Sequence, residues 1–250
     1  MPANLTAAVV IIGNEILSGR TQDSNLTFLG KRLDELGIPL LEARVIPDDE
    51  KVIVETVNAC RRIFSYVFTT GGIGPTHDDI TSASIATAFG VDLERNNEAL
   101  ACLEAYYDSG NINDARMKMA NIPKGASLIK NPVSGAPGFQ LGNVFVLPGV
   151  PMILQAMFDS MTYRLIGGDP ILTNSLATNL REGEIAGGLG RLQEKYTDVS
   201  IGSYPYFRHG RLGVNIVSRS TSRGSLEALQ SELRAVIEEC GGKIIASPDS

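Results

Sequence analysis

The chain is short of positive charge: 22 lysines and arginines face 28 aspartates and glutamates, for a formal charge of -6 at pH 7 and a pI near 5.1. Nucleic acid is bound through a basic face that displaces counterions, so this balance excludes it as a partner and leaves small anions to be caught locally. Cysteine is scarce too. Cys60, Cys102 and Cys240 are odd in number and far apart, with neither the paired spacing of a zinc site nor the density of a disulfide scaffold. All three are expected to be reduced and mostly buried. Long apolar runs are missing: Ala7 to Ile12 falls far short of the ~20 residues of a membrane span and has no basic segment before it, so it is neither anchor nor signal peptide. The expectation is a cytoplasmic protein with no membrane contact. Missing as well are a G-x-x-x-x-G-K-[ST] phosphate loop, a serine or cysteine with an evident histidine-centred triad, and a basic aromatic platform for bases.

What is present is ordinary globular material. The 250 residues are 43% hydrophobic and 20% charged, enough at ~100 to 200 residues per domain for a large domain and a small one. Gly167, Gly168 and Pro170 mark a linker, so residues 1 to 166 and 171 to 250 are read as separate domains.

Ala7 to Ile12 (AAVVII) is a continuous β-branched run ended by Gly13, as suits a parallel strand buried on both faces. From Ser24 to Leu36, the residues Leu26, Leu29, Leu33 and Leu36 recur three and four apart before Gly37, which predicts an amphipathic helix. Leu40 to Ile46 reads as a second strand. Asp48 and Asp49 open a helix with Val52, Ile53, Val57 and Cys60 on one face, and Tyr66 to Thr70 reads as a third strand. Strand, helix, strand, helix, strand within seventy residues predicts an α/β fold with a doubly wound, mostly parallel sheet. Helices are expected over Ile80 to Phe89, Asn97 to Tyr107 and Asp114 to Ala120, short strands and turns over Ala126 to Leu147, and a helix through Tyr163. Beyond the linker, Leu172 to Asn179, Glu184 to Tyr196, Val199 to Phe207, Arg211 to Ser218, Ser225 to Cys240 and Lys243 to Ala246 read as strand, helix, strand, strand, helix, strand. That order fits a small α+β split β-α-β domain.

Ligands of such a sheet bind beyond the carboxyl ends of its strands, and the loops there carry the chemistry. The strongest is Thr69 to Asp79, TTGGIGPTHDD. Gly71, Gly72 and Gly74 allow backbone amides to form an anion nest at a helix start; a purely structural tight turn is the plain alternative. Asp78 and Asp79 would repel a phosphate unless a divalent cation, for which magnesium, manganese and cobalt are the candidates, lies between them. Asp79 could instead cap the following helix, and the same choice between cap and ligand attaches to Asp48 and Asp49. Glu15 follows the first strand, where an acid serves a ligand better than a core. His77 reads as a loop surface residue, and His209, on an expected hairpin turn, is given no role.

Taken in order, GNEILSGRTQDSN (Gly13 to Asn25), IPDD (Ile46 to Asp49), TTGGIGPTHDD, NPVSGAPGF (Asn131 to Phe139) and LPGVP (Leu147 to Pro151) resemble the motif set of the MoCF, or molybdopterin-binding, superfamily. The resemblance spans about residues 5 to 165 and rests on five motifs in the same order. GGIGPTHDD is more similar to the competence/damage-inducible protein A family and to the molybdopterin-binding-like domain of FAD synthetases than to Mog and MoaB enzymes. Mog-type loops usually have Thr at the place of Ile73 and a basic residue at that of Asp78, so these departures point away from molybdopterin adenylylation.

The resemblance implies binding of a phosphorylated nucleotide or pterin and hydrolysis of a dinucleotide pyrophosphate, of the ADP-ribose or FAD class, with a divalent metal. Molybdopterin binding or adenylylation in molybdenum cofactor biosynthesis is the alternative. By motif, Asp48 and Asp79 match the acids essential in the Mog type, Asp78 and Asp79 would hold the metal, and Glu15, Asp23, Asn25, Gly71, Gly72, Gly74, Thr76, Asn131, Gly138, Pro148 and Gly149 would bind ligand. A homo-oligomer is expected from the superfamily. Deamidation of nicotinamide mononucleotide is not expected, because no amidase domain is recognised. All five motifs precede the linker, so the small domain is expected to be dispensable for ligand binding.

Overall fold

The computed structural model describes residues 5–107, 112–208 and 210–245. His209 and Ala246, which the sequence places in a hairpin turn and a final strand, lie outside the described residues. The chain separates into two compact units, one of residues 1–34 and 38–168 and one of residues 169–250 with Glu35–Gly37.

The larger unit begins with β1 (Ala7–Ile12), every residue of which is buried. The short α1 (Asn14–Leu17) and then α2 (Asn25–Glu35) follow, α2 burying Leu29 and Leu33. β2 (Leu40–Ile46), α3 (Glu50–Ile63) and β3 (Tyr66–Thr70) come next. Ile53, Val57 and Cys60 of the stripe read from the sequence are buried on α3 together with Thr56, while Val52 is half-buried beside them. After α4 (Thr81–Phe89), β4 (Leu93–Arg95), α5 (Asn97–Tyr106), α6 (Asp114–Lys118) and β5 (Asn121–Pro123), the strands β6 (Ser127–Ile129), β7 (Gly138–Leu141) and β8 (Val144–Leu147) lead into α7 (Pro151–Met161).

The main sheet runs β2-β1-β3-β8-β7-β6. β2, β1, β3 and β8 are parallel, while β7 and β6 are antiparallel additions. Continuous apolar strands demand cover on both faces. On one face Ala8, Val10, Ile12 and Val67 pack with Ile53, Val57 and Ile85. On the other, Phe68 lies 5.2 Å from Phe145 and 5.7 Å from Phe158 of α7, ring centre to ring centre.

The smaller unit is β9 (Leu172–Thr178), α8 (Glu182–Lys195), β10 (Ser200–Arg208), β11 (Arg211–Ser220), α9 (Arg223–Glu239) and β12 (Ile244–Ile245). Its antiparallel sheet runs β10-β11-β9-β12, the split β-α-β arrangement that the element order predicts. Leu176, Ile185, Leu189, Val214, Ile216, Leu229 and Leu233 form its own core.

The cysteines correct one expectation. All are free thiols, but only Cys60 is buried; Cys102 and Cys240 are exposed. Cys60 sits on the inward stripe of α3, Cys102 falls on the outer side of α5, and Cys240 caps the end of α9. Among the described residues no helix is long and apolar enough to cross a membrane.

Candidate functional site

Because β2, β1, β3 and β8 are parallel, their carboxyl ends share one edge of the sheet, and the turns at Gly13, Pro47, Gly71 and Pro148 meet there. The antiparallel register, Ile129 opposite Gly138 and Phe139 opposite Val146, brings the Asn131 to Pro137 loop to the same edge. The five motifs are thus gathered by topology alone.

Backbone bonds tie these loops together. Gly13 N–H donates to Ile46 O at 3.1 Å, and Gly71 N–H to Leu147 O at 3.1 Å. Asn14 N–H donates to Asp48 Oδ2 at 2.8 Å, so Asp48 braces the first loop against the second. Its neighbour Asp49 accepts from Val52 N–H and caps α3. Of the two adjacent acids, Asp49 thus takes the cap, and Asp48 holds the neighbouring loop.

Gly71 and Gly72 have φ of +99° and +66°, and a Cβ there would lie 2.2 Å from Ile12 O and 2.2 Å from Thr81 Oγ1 respectively. Only glycine combines the left-handed backbone with such close approach. Gly149 packs against Gly71, a Cβ on it lying 3.5 Å from the Gly71 Cα. Pro148 is half-buried beside it, and Gly138 opens β7 against the Val146 carbonyl.

The second acid pair behaves differently. Neither Asp78 nor Asp79 caps α4, whose N-cap is Ile80 with no side-chain bond. Asp79 Oδ2 instead accepts from Thr76 N–H at 2.7 Å and from Thr76 Oγ1 at 2.6 Å, closing the loop on itself beside Gly74. Thr76 Oγ1 also lies within hydrogen-bond distance of Asp78 Oδ1. One hydroxyl proton is shared between two carboxylates, which converge on it. The Thr76 hydroxyl, and then the backbone N–H of Asp78 itself, hold the Asp78 carboxyl below the usual range. His77 has a fully exposed side chain, 4.0 Å from Asp78.

Four buried side-chain oxygens lack a hydrogen-bond partner among the described residues: Asn25 Oδ1, Thr69 Oγ1, Thr70 Oγ1 and Thr81 Oγ1. Two close β3, one opens α2 and one opens α4, so all four sit at this sheet edge. An unsatisfied buried polar group costs about 1–3 kcal/mol, and contact with a water, an ion or a ligand is among the ways such a group is satisfied. Asn25 Nδ2 donates to Gly149 O at 2.8 Å. Asn25 and Thr70 line a cavity of ≈ 60 Å³ with Glu15, Asp23 and Gly149. Asp23 spends one oxygen on Leu26 N–H at the start of α2.

A second small cavity, ≈ 40 Å³, lies between Gly74, Asp79 and Lys118. Lys118 Nζ donates to Thr76 O. The loop's nearest charges along the chain are acidic, but folding brings this cation to it from 42 residues away. Sequence reasoning named none of Lys118, Thr70 and Thr81; Thr70 lies within the TTGGIGPTHDD motif without being singled out, and no local pattern marks Lys118 or Thr81. A third cavity, ≈ 520 Å³, lies among Tyr106 and Cys102 of α5, Leu128, Lys130, Asn131 and Pro137. Asn131 itself spends its amide inside its own turn, accepting from Val133 and Ser134 N–H and donating to Ser134 Oγ and Ala136 O.

A metal fits this edge only in part. Among the described residues no three acidic, histidine or cysteine side chains converge to a preformed cage. Magnesium rarely uses one; a carboxylate or two, with phosphate oxygens and water completing the shell, is its habit, and Asp78 and Asp79 are such a pair.

Residues 8–167 match the family described as probable molybdopterin binding domain, and residues 170–241 match the FAD synthase middle domain. A probable FAD synthase of Caenorhabditis elegans is 30% identical over 263 residues, covering 95% of this chain. The chain spans about half, 51%, of the length of that relative. A protein of Pyrobaculum arsenaticum is 34% identical over 246 residues, 93% of this chain and 92% of that one. The crystal structure of the protein CinA, of unknown function, from Thermoplasma acidophilum superposes with a TM-score of 0.61 at 35% identity, covering 65% of this chain and 99% of that one. Since the first match takes in every loop of the cleft from Gly13 to Pro151, the chain belongs to the MoCF, or molybdopterin-binding domain, family.

Proposed function

We propose that the cleft binds a phosphorylated nucleotide and hydrolyses a dinucleotide pyrophosphate, of the ADP-ribose or FAD class, with a divalent cation. The observation that carries this reading is the convergence of Asp78 and Asp79 on Thr76 beside the Gly71–Gly72 turn. Amides of a glycine turn attract phosphate, while two carboxylates beside it repel phosphate unless a cation intervenes. When bound, magnesium, manganese or cobalt would neutralise the charge that builds on the departing phosphate. Asp78 and Asp79 would hold it.

The chain's own groups do the rest. Backbone amides after Gly71 and at the start of α4 orient phosphoryl oxygens. Asn25, Thr70 and Thr81 offer the polar oxygens that the fold leaves without partners. Asp48 Oδ2 is anchored by Asn14 N–H, which leaves Oδ1 to take a proton from attacking water. The ≈ 520 Å³ cavity beside Tyr106 and Asn131 has the size of a pocket for a small organic ligand and suits a flat ring system.

The test is a screen of ADP-ribose, FAD, NAD and ATP with each cation. The FAD synthase relative supports including the flavin. Cation-dependent release of AMP from ADP-ribose or FAD is expected; absence of cleavage from every dinucleotide that binds would refute hydrolysis. Lys118 favours a second reading, binding or adenylylation of molybdopterin, because an ammonium beside the loop can hold an anion without a metal. Adenylylated pterin formed from ATP would establish that reading.

A further inference from the structure

We propose that the open edge of β2 is a homodimer interface, in which two copies of the strand pair antiparallel about Ala43 and join two main sheets into one. An edge strand is a template for pairing unless the protein blunts it. The other sheet edges among the described residues are blunted: β4, β5 and β6 have 3 residues each, β12 has 2, and β10 carries Pro205, which cannot donate. β2 has 7 residues, no proline and the outer place in its sheet.

Its side chains and backbone both favour a copy of itself. Leu41, Ala43 and Val45 form one exposed stripe, Leu41 at 64% and Val45 at 42% exposure. Glu42 and Arg44 form the opposite face and pair with each other within the strand. The bond from Gly13 N–H to Ile46 O turns the Ile46 backbone toward β1. Alternation does the same for Arg44 and Glu42 and turns the N–H and C=O of Ala43 and Val45 to the open edge. The register steps from Ala7 opposite Leu40 to Ala8 opposite Glu42, so Leu41 is the extra residue of a bulge in β2, and Glu42–Ile46 beyond it is regular.

Centring a twofold on Ala43 therefore makes the two alanines a doubly hydrogen-bonded pair and sets Glu42 against Arg44 of the copy, twice, with the exposed Leu41 and Val45 side chains flanking the alanines. The sequence LLEARVI is self-complementary in apolar character and in charge only in this register. Directly opposed unlike charges stabilise a sheet and like charges destabilise it, and a symmetric interface doubles each effect.

The intact chain should sediment at twice its 26.7 kDa. Glu42→Lys and Arg44→Glu should each weaken association about tenfold or more by opposing like charges, and an equimolar mixture of the two should dimerise again, since each supplies what the other lacks. Ala43→Lys, at an exposed position, should be a folded monomer. A monomeric parent, a folded Ala43→Lys that stays dimeric, or two folded single variants that do not associate when mixed would each overturn the interface.

Discussion

Asp48–Asp49 and Asp78–Asp79 are the same dipeptide set after parallel strands of one sheet, yet the fold employs them differently. After β2, the first acid braces the neighbouring loop through Asn14 and the second caps α3. After β3 the glycine turn and Thr76 come between strand and helix, the cap position passes to Ile80, and both carboxylates are drawn to one hydroxyl. A cap is a solved hydrogen-bond problem. A pair of like charges sharing one proton is not, and the proposed cation is assigned to the second pair for that reason. The number of residues between strand end and helix start, rather than the acids themselves, decides which pair converges on one hydroxyl.

That contrast can be broken most sharply at Asp79. In Asp79→Asn the amide oxygen can still accept from Thr76 N–H, so melting should shift little, within ~0.5 kcal/mol. Turnover should fall about a thousandfold, because the lost charge removes several kcal/mol of cation-mediated stabilisation at ~1.4 kcal/mol per decade. Steady-state kinetics beside a melting curve distinguish the two. Asp48→Asn keeps an acceptor for Asn14 while losing the base, and kcat should drop about a hundredfold. An unchanged kcat would make Asp48 a brace and nothing more. Asp49→Ala removes a helix cap and should cost about 1 kcal/mol of stability with no change in turnover per folded molecule, read by denaturant unfolding and active-site titration.

The smallest effect tests the shared hydroxyl. Thr76 holds the Asp78 carboxyl low, so the stabilisation tied to that charge is present above the ordinary carboxylate pKa of ~3.9 and is lost only as pH falls through the lowered folded value. Thr76→Val should move this loss to higher pH. Carboxyl NMR titration of Asp78 in the two proteins checks the direction, and an unmoved midpoint would deny the hydrogen bond its role.

Much of this was legible in the residues. Apolar continuity set β1 at the bounds observed, since a strand buried on both faces has no polar position to blur its ends; β2, half-exposed with Glu42 and Arg44 inside it, was bounded by Gly37 to Pro39 before it and Pro47 after it. Element order alone predicted the split β-α-β arrangement of the smaller unit. Local patterns failed where the determinant is long-range. The choice of Asp49 over Asp48 as cap could be narrowed to a pair but not resolved, because both residues cap well. Lys118 reaches Thr76 across a loop and three elements, and no periodicity encodes that approach. Thr70 and Thr81 look like ordinary strand-end and helix-start residues; their significance lies in hydroxyls left without partners after packing, a property of coordinates rather than of composition. Asn131 shows the converse, a motif residue whose polar atoms are consumed by its own turn.

The central claim is that a cation bridges the Asp78–Asp79 pair and a nucleotide phosphate. Calorimetric titration of ADP-ribose into the protein, with magnesium and with a chelator, and into Asp79→Asn with magnesium, tests it most directly. The account predicts binding to the parent with magnesium that weakens at least tenfold in the chelator and in Asp79→Asn. Equal affinity in all three titrations would contradict it.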